Sequence, residues 1–207
     1  IGLVKDPLTD NNPVTVQVLG ICSALAITAE LNASVIMALS VIFVLGVGNV
    51  VISLMRNVIP SSIRIIAQLV VVAALVIIVD LTLKAYVPDL AKKLSVFVGL
   101  IITNCIIMGR FEAFALANTP WKSFLDGVGN ATGYGLILVI VGFFRELLGS
   151  GKLFGIPVLG DPVEKTGLYA IGYENSGFML LAPMALITLG LIIGFQRSRN
   201  KNLIETN

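Results

Sequence analysis

Cys22 and Cys105 are the only cysteines in the chain. Each lies inside an apolar run beside a residue that loosens a helix: Leu19-Gly20-Ile21-Cys22-Ser23-Ala24 in one case, Thr103-Asn104-Cys105-Ile106-Ile107 in the other. A free cysteine commonly behaves as a small buried hydrophobe. Loosened backbone at membrane depth, however, is tolerated only where it is buried in protein or lines a site. If the two thiolates ligate something, the arithmetic is restrictive. Iron–sulfur clusters and all-cysteine zinc sites take four ligands, so two from this chain require two more from a second chain. Such a centre is anionic, and the N-termini of half-helices, with their unpaired N–H groups, are the available compensation in hydrocarbon. A Cys22–Cys105 disulfide is the competing use of the same pair.

Two acids could face a cation path, since an intramembrane carboxylate is by default a functional hypothesis. Asp80 closes an apolar run with Lys84 one helical turn on, so a snorkelling i,i+4 pair competes with that role. Asp126 opens another run, where a helix cap is the simpler use. Glu30 and Glu112 read as interfacial, and either could gate an entry. Arg56, Arg64 and Arg110 read as loop charges that set topology. The Gly-rich pieces at 127–135 belong inside a membrane helix, where small residues permit close packing. Gly149-Ser150-Gly151-Lys152 lacks the spacing of a phosphate loop.

The elements that must position these residues are membrane helices. Of the 207 residues, 57% are hydrophobic and 13% charged, and the mean hydropathy is +0.97, against about 25% charged residues in an ordinary soluble domain. With 14 basic and 12 acidic residues the net charge is +2, which leaves no basic face for nucleic acid. The absence of histidine excludes a Ser-His-Asp triad, His-ligated haem and His-based zinc chemistry. The chain opens at Ile1 without Met, which predicts that some native N-terminus precedes it, and its short charged start is not a signal peptide in form.

Six apolar runs lie between the charges, at 11–29, 31–55, 65–79 extending towards 86, 94–109, 127–144 and 175–196. A helix needs about 20 apolar residues to cross the hydrocarbon. The first run is trimmed by Asn-Asn-Pro and Gly20, and the fourth is interrupted by Gly99, Asn104 and Gly109, so both are short or broken. The expected fold is therefore an all-α, single integral membrane domain over residues 1–207. It has two three-helix repeats, about 11–88 and 89–196. An odd number of crossings per repeat makes the second inverted relative to the first, and weak segments at matching positions point to a midplane site. Landmarks recur in step: Cys22 and Cys105 lie 83 apart, Glu30 and Glu112 82 apart, Arg56 and Arg145 89 apart. Basic residues divide eight to six in favour of the side holding both termini, which predicts cytoplasmic termini. The connection at 145–174, rich in Gly and Pro, is expected to be an ordered extramembrane loop.

Several stretches carry a resemblance to a known family. Asp10-Asn11-Asn12-Pro13, Leu19 to Ala26, Arg56-Asn57-Val58-Ile59-Pro60, Ser95 to Cys105 and Gly142 to Gly155 together resemble the D subunits of bacterial sodium-translocating NADH:quinone reductases. The likeness runs over nearly the whole chain and is weakest at about 156–176. It implies a six-helix inner-membrane protein paired with a homologous, inverted E subunit, alongside the A, B, C and F subunits. It further implies that Cys22 and Cys105 share an intramembrane 2Fe-2S cluster with two cysteines of the E subunit. NADH and the flavins would sit on other subunits, ubiquinone would receive the electrons, and sodium would leave the cell. The sister family, the Rnf-type electron transport complexes, has a homologous subunit with the same cysteines, and the 142–155 wording favours the quinone reductases. The energetics are adequate: moving one charge across about 100 mV costs about 2.3 kcal/mol, so a comparable potential drop per electron suffices. A secondary transporter, also built from inverted repeats with broken helices, is the alternative of a different class, and it predicts dispensable cysteines.

Overall fold

The computed structural model describes residues 12–86, 88, 92, 99–150, 152–153, 156–157 and 180–199. Apart from a two-residue antiparallel pairing, Lys152–Leu153 with Ile156–Pro157, the described elements are helices. In chain order they are α1 (Ile21–Ile27), α2 (Leu31–Met55), a 3₁₀ turn (Ser61–Ile63), α3 (Arg64–Tyr86), α4 (Cys105–Arg110), a π-helical turn (Phe111–Ala115), α5 (Pro120–Ser150) and α6 (Ala182–Arg199).

Among the described residues, α2, α3 and α5 are long and apolar enough to cross a membrane, and α6 is apolar but shorter. The second, third and sixth runs read from the sequence meet α2, α3 and α6. The fifth is longer than its apolar stretch, because α5 starts at Pro120. Proline suits a first helical position, where its missing N–H would be unpaired anyway, and the Thr119 carbonyl already accepts the Ser123 N–H at 3.0 Å. At 31 residues and 1.5 Å per residue, α5 is roughly 46 Å long, more than the hydrocarbon thickness. Asp126 consequently sits in the second turn of a helix and is not its cap, which corrects that expectation.

The first and fourth runs break as Gly20 and Asn104 suggest. In the first, residues 12–20 turn twice without forming a helix. The Asn12 carboxamide accepts the Val14 N–H at 3.0 Å, and its Nδ2 donates to the Gly133 carbonyl on α5 at 3.2 Å. Gly20 then takes φ +80°, a left-handed conformation natural to glycine, and α1 starts. In the fourth, helical residues 99–102 stop at Thr103, and Asn104 is extended. Its side chain accepts the Ile106 N–H, the usual work of an Asn cap. The start of the fourth run (residues 94–98), the 145–174 connection beyond Ser150 except 152–153 and 156–157, and 175–179 fall outside the described residues.

α2 and α5 form the centre and pack along much of their length. More than half of their most apolar windows is buried, against 17% for α3, so α3 presents most of its surface outward. The α2–α5 approach depends on small residues: a Cβ on Gly127 would lie 2.9 Å from the Leu45 carbonyl oxygen and 2.7 Å from Asn49 Nδ2. Close backbone approach through small residues is the standard way for membrane helices to associate, because lipid is as apolar as leucine and drives no burial.

The two ends of this central pair are built alike. Where α2 ends, Ser53 Oγ donates to the Asn118 carbonyl at 2.6 Å and Arg56 Nη1 to the same carbonyl at 3.1 Å. Where α5 ends, Arg145 donates to Thr28 Oγ1 and to the Leu25 carbonyl, and the Glu146 carboxylate accepts the Leu31 N–H. Each long helix thus holds, with its C-terminal part, the link that precedes the other.

Candidate functional site

The two chain breaks meet. The Gly20 N–H donates to Cys105 Sγ at 2.8 Å, and Cys22 is two residues further along, in the first turn of α1. Cys105 is half-buried and Cys22 exposed, and both thiols are free. Residues 83 apart in sequence therefore share one locality, brought there by two interruptions.

Behind the sulfurs lies a closed polar network. Tyr134, on α5 and fully buried, has its hydroxyl 2.6 Å from Ser23 Oγ. Asn104 Nδ2 donates to Ser23 Oγ at 3.2 Å and to Tyr134 Oη at 3.4 Å. Ser23 donates in turn to the Gly20 carbonyl at 2.9 Å. Buried polar groups in an apolar interior must find partners, and these find one another. The sequence marks Asn104 as a break in the fourth run, Ser23 only as a neighbour of Cys22, and Tyr134 as part of a Gly-rich helix. A tyrosine midway along a membrane run, remote from either interface, was the available signal.

Asp126 pairs with Arg110, whose Nε donates at 3.0 Å and whose Nη2 bonds the second carboxylate oxygen, a two-pronged fit that suits guanidinium to carboxylate. Asn130 Nδ2 adds a bond to Asp126 Oδ1 at 3.1 Å. Arg110 is thereby a structural partner and not a loop charge, which corrects its sequence reading. Asp126, Asn130 and Tyr134, spaced four apart on α5, are all buried and form a polar row leading from this ion pair towards the cysteines. Asp80, by contrast, pairs with Lys84 at 2.6 Å, as the i,i+4 alternative required.

Glu112, beyond the fourth run, accepts from Arg64 Nη1 at 2.6 Å and Gln68 Nε2 at 3.1 Å, so Arg64 too has a defined partner. The Arg64 hydrogen bond, with help from Gln68 and against some desolvation, holds the Glu112 carboxyl below its ordinary value of 4.5. A lowered folded-state pKa adds stability that is complete above the unfolded value and fades as pH falls through the folded one. Thermal melts of the detergent-solubilised protein should therefore separate wild type from Glu112→Gln at pH 7 and converge in acid. Since the pair is exposed, salt should shrink the difference. A gap that acid leaves unchanged would count against this assignment.

Chemically, the locality offers two soft sulfur donors on one side of the chain. Among the described residues no group of three or more His, Cys, Asp or Glu side chains is placed to hold a metal.

Comparison with known proteins gives consistent results. The profile of the Rnf-Nqr subunit family, described as membrane proteins, matches residues 1–193. A Pasteurella multocida protein named as the D subunit of a Na(+)-translocating NADH-quinone reductase is 52% identical over 204 residues, covering 99% of this chain and 96% of that protein. A Photobacterium profundum protein of the same name is 56% identical over 187 residues, covering 90% and 87%.

Proposed function

The chain belongs to the Rnf-Nqr family of membrane proteins, and on that premise we propose that it is the D-type membrane subunit of a bacterial sodium-translocating NADH:quinone reductase. In this reading Cys22 and Cys105 supply two of the four ligands of a 2Fe-2S cluster, and a homologous, inverted E subunit supplies the other two. The observation that carries it is the meeting of the two breaks, with the Gly20 amide on Cys105 Sγ at 2.8 Å and the Cys22 thiol exposed beside it.

The donor set fits. Thiolates suit iron–sulfur chemistry, two sulfurs are half a set, and exposure of Cys22 leaves it within reach of another chain. When bound, such a cluster accepts and releases one electron. The chain's own part is to hold the two sulfurs at fixed places, to donate the Gly20 N–H to one of them, and to keep water away with the buried residues of α2 and α5. NADH and the flavins belong to the other subunits, A, B, C and F among them.

Six crossings as two inverted repeats are supported by the reciprocal ends of α2 and α5. Shifting the Arg56 bond to residue 118 by the Arg56-to-Arg145 offset gives a bond from Arg145 to residue 29, next to the Thr28 hydroxyl that Arg145 reaches. That is the exchange an internal two-fold requires. Cytoplasmic termini and the bacterial inner membrane follow from the same reading. For the sodium path the favoured acid is Asp126, buried, paired with Arg110 and at the head of a polar row. Asp80, first considered with it, has its exposed partner Lys84 as a sufficient account. Coupling would then come from a change in the packing of the two breaks on reduction, a discrete element biased by charge.

Iron and acid-labile sulfide measured on the purified complex, with an EPR spectrum of the reduced form, test the reading. About two irons per pair of D and E subunits beyond those of the other iron–sulfur subunits are expected. A complex that is active with no iron at this pair would overturn it.

A further inference from the structure

Tyr134 is the largest polar side chain buried against the two breaks, and its position is overdetermined. Ser23 has one hydroxyl hydrogen, given to the Gly20 carbonyl at 2.9 Å. Its oxygen therefore accepts from the Tyr134 hydroxyl at 2.6 Å and from Asn104 Nδ2 at 3.2 Å, which uses both lone pairs. Asn104 spends its oxygen on the Ile106 N–H. The residue after one cysteine and the residue before the other are thus tied both directly and through one phenol. The ring does a second thing: a Cβ at Gly20 would lie 2.7 Å from Tyr134 Cε2, so the ring edge is set directly against the backbone whose N–H points at Cys105 Sγ.

We propose that Tyr134 is a positioning residue that holds the Gly20 N–H on Cys105 Sγ and thereby sets the reduction potential of the electron carrier at this site. The proposal rests on the ligand reading of Cys22 and Cys105 given above. Hydrogen bonds donated to the sulfurs of an iron–sulfur centre are among the factors that set its potential, and partners outside the ligand shell fix ligand orientation. An N–H dipole aimed at sulfur favours the more negative, reduced state. Removing the phenol hydroxyl unties Ser23 from its strongest donor, lets the breaks move apart and weakens that dipole's effect, so the reduced state loses stability.

The test is an EPR-monitored redox titration of the intact complex carrying Tyr134→Phe. Iron content should match the parent. The midpoint should move to more negative potential, with the oxidised-to-reduced ratio at a fixed potential rising about tenfold, equivalent to ~59 mV for one electron. Ser23→Ala, which deletes the acceptor and keeps the ring, should shift the midpoint the same way. The double substitution should add little beyond Ser23→Ala alone, which already breaks the Tyr134 connection along with the bonds to Gly20 and Asn104. A parent signal that neither substitution moves would overturn this inference alone. Absence of the signal from the parent complex would overturn the ligand reading, and this inference with it.

Discussion

Arg145→Met should cost the protein on the order of 3–5 kcal/mol, since one buried and three half-buried acceptors lose their donor at about 1 kcal/mol or a little more each, whereas Arg56→Met should be nearly silent. The two arginines occupy matching places in the sequence, yet their surroundings differ. Arg145 is 1% exposed. Its Nη1 donates to Thr28 Oγ1 and the Leu25 carbonyl, and its Nη2 to the Leu180 and Leu181 carbonyls at 2.7 and 3.2 Å. It therefore joins the last turn of α1 to the start of α6, around carbonyls that have few other partners at helix ends. Methionine fills much of the volume but donates nothing. Arg56 is exposed and gives one bond, to the Asn118 carbonyl, which water can replace. Thermal melts and protease resistance of the two variants, made in the same complex, measure the difference. Equal losses would show that burial at this end is not what the structure indicates.

The second large effect concerns the sulfurs. Cys105→Ala and Cys22→Ala should each abolish electron transfer to quinone through the complex and release the iron of the D–E pair. The loss should be well beyond the roughly 10–100-fold typical of changes outside the ligand shell, because a missing thiolate removes a ligand. Global stability should change little for Cys22→Ala, since that side chain is exposed and packs against little within the chain. Cys105→Ala should cost slightly more, because the Gly20 N–H loses its acceptor. Quinone-reduction assays, iron analysis and melts on the same samples separate these effects. Retained turnover with both alanines would favour the transporter reading, for which the thiols are dispensable.

Much of the fold could be read from residue order. Apolar length identified α2 and α3, because spans answer to one solvent and need no partner to be recognised. Gly20 and Asn104 marked the breaks for a local reason: one permits positive φ, the other caps a helix start. The ends of α5 were missed, since Pro120 to Asp126 and Arg145 to Ser150 are too polar to count as a span. They are helical because the charged groups buried there have partners: Asp126 has Arg110, Arg145 the carbonyls around α1, and Glu146 the Leu31 N–H. The same blindness made Arg110 and Arg64 look like topological charges and Asp126 like a cap. The site was half legible. Both cysteines stood out by scarcity and spacing, while Tyr134 offered only its place midway along a membrane run.

Sequence alone determined that the chain lives in a membrane, where its helices α2 and α3 run, where two apolar runs break, and which two residues carry thiols; hydropathy and backbone chemistry are local properties that every residue displays in place. Only the tertiary structure decided which failures face each other, that one amide comes to rest on the second sulfur, and which of two matching arginines is buried. Those outcomes depend on residues distant in the chain converging around α2 and α5, and a hydrogen bond has no counterpart in residue order until both partners have arrived.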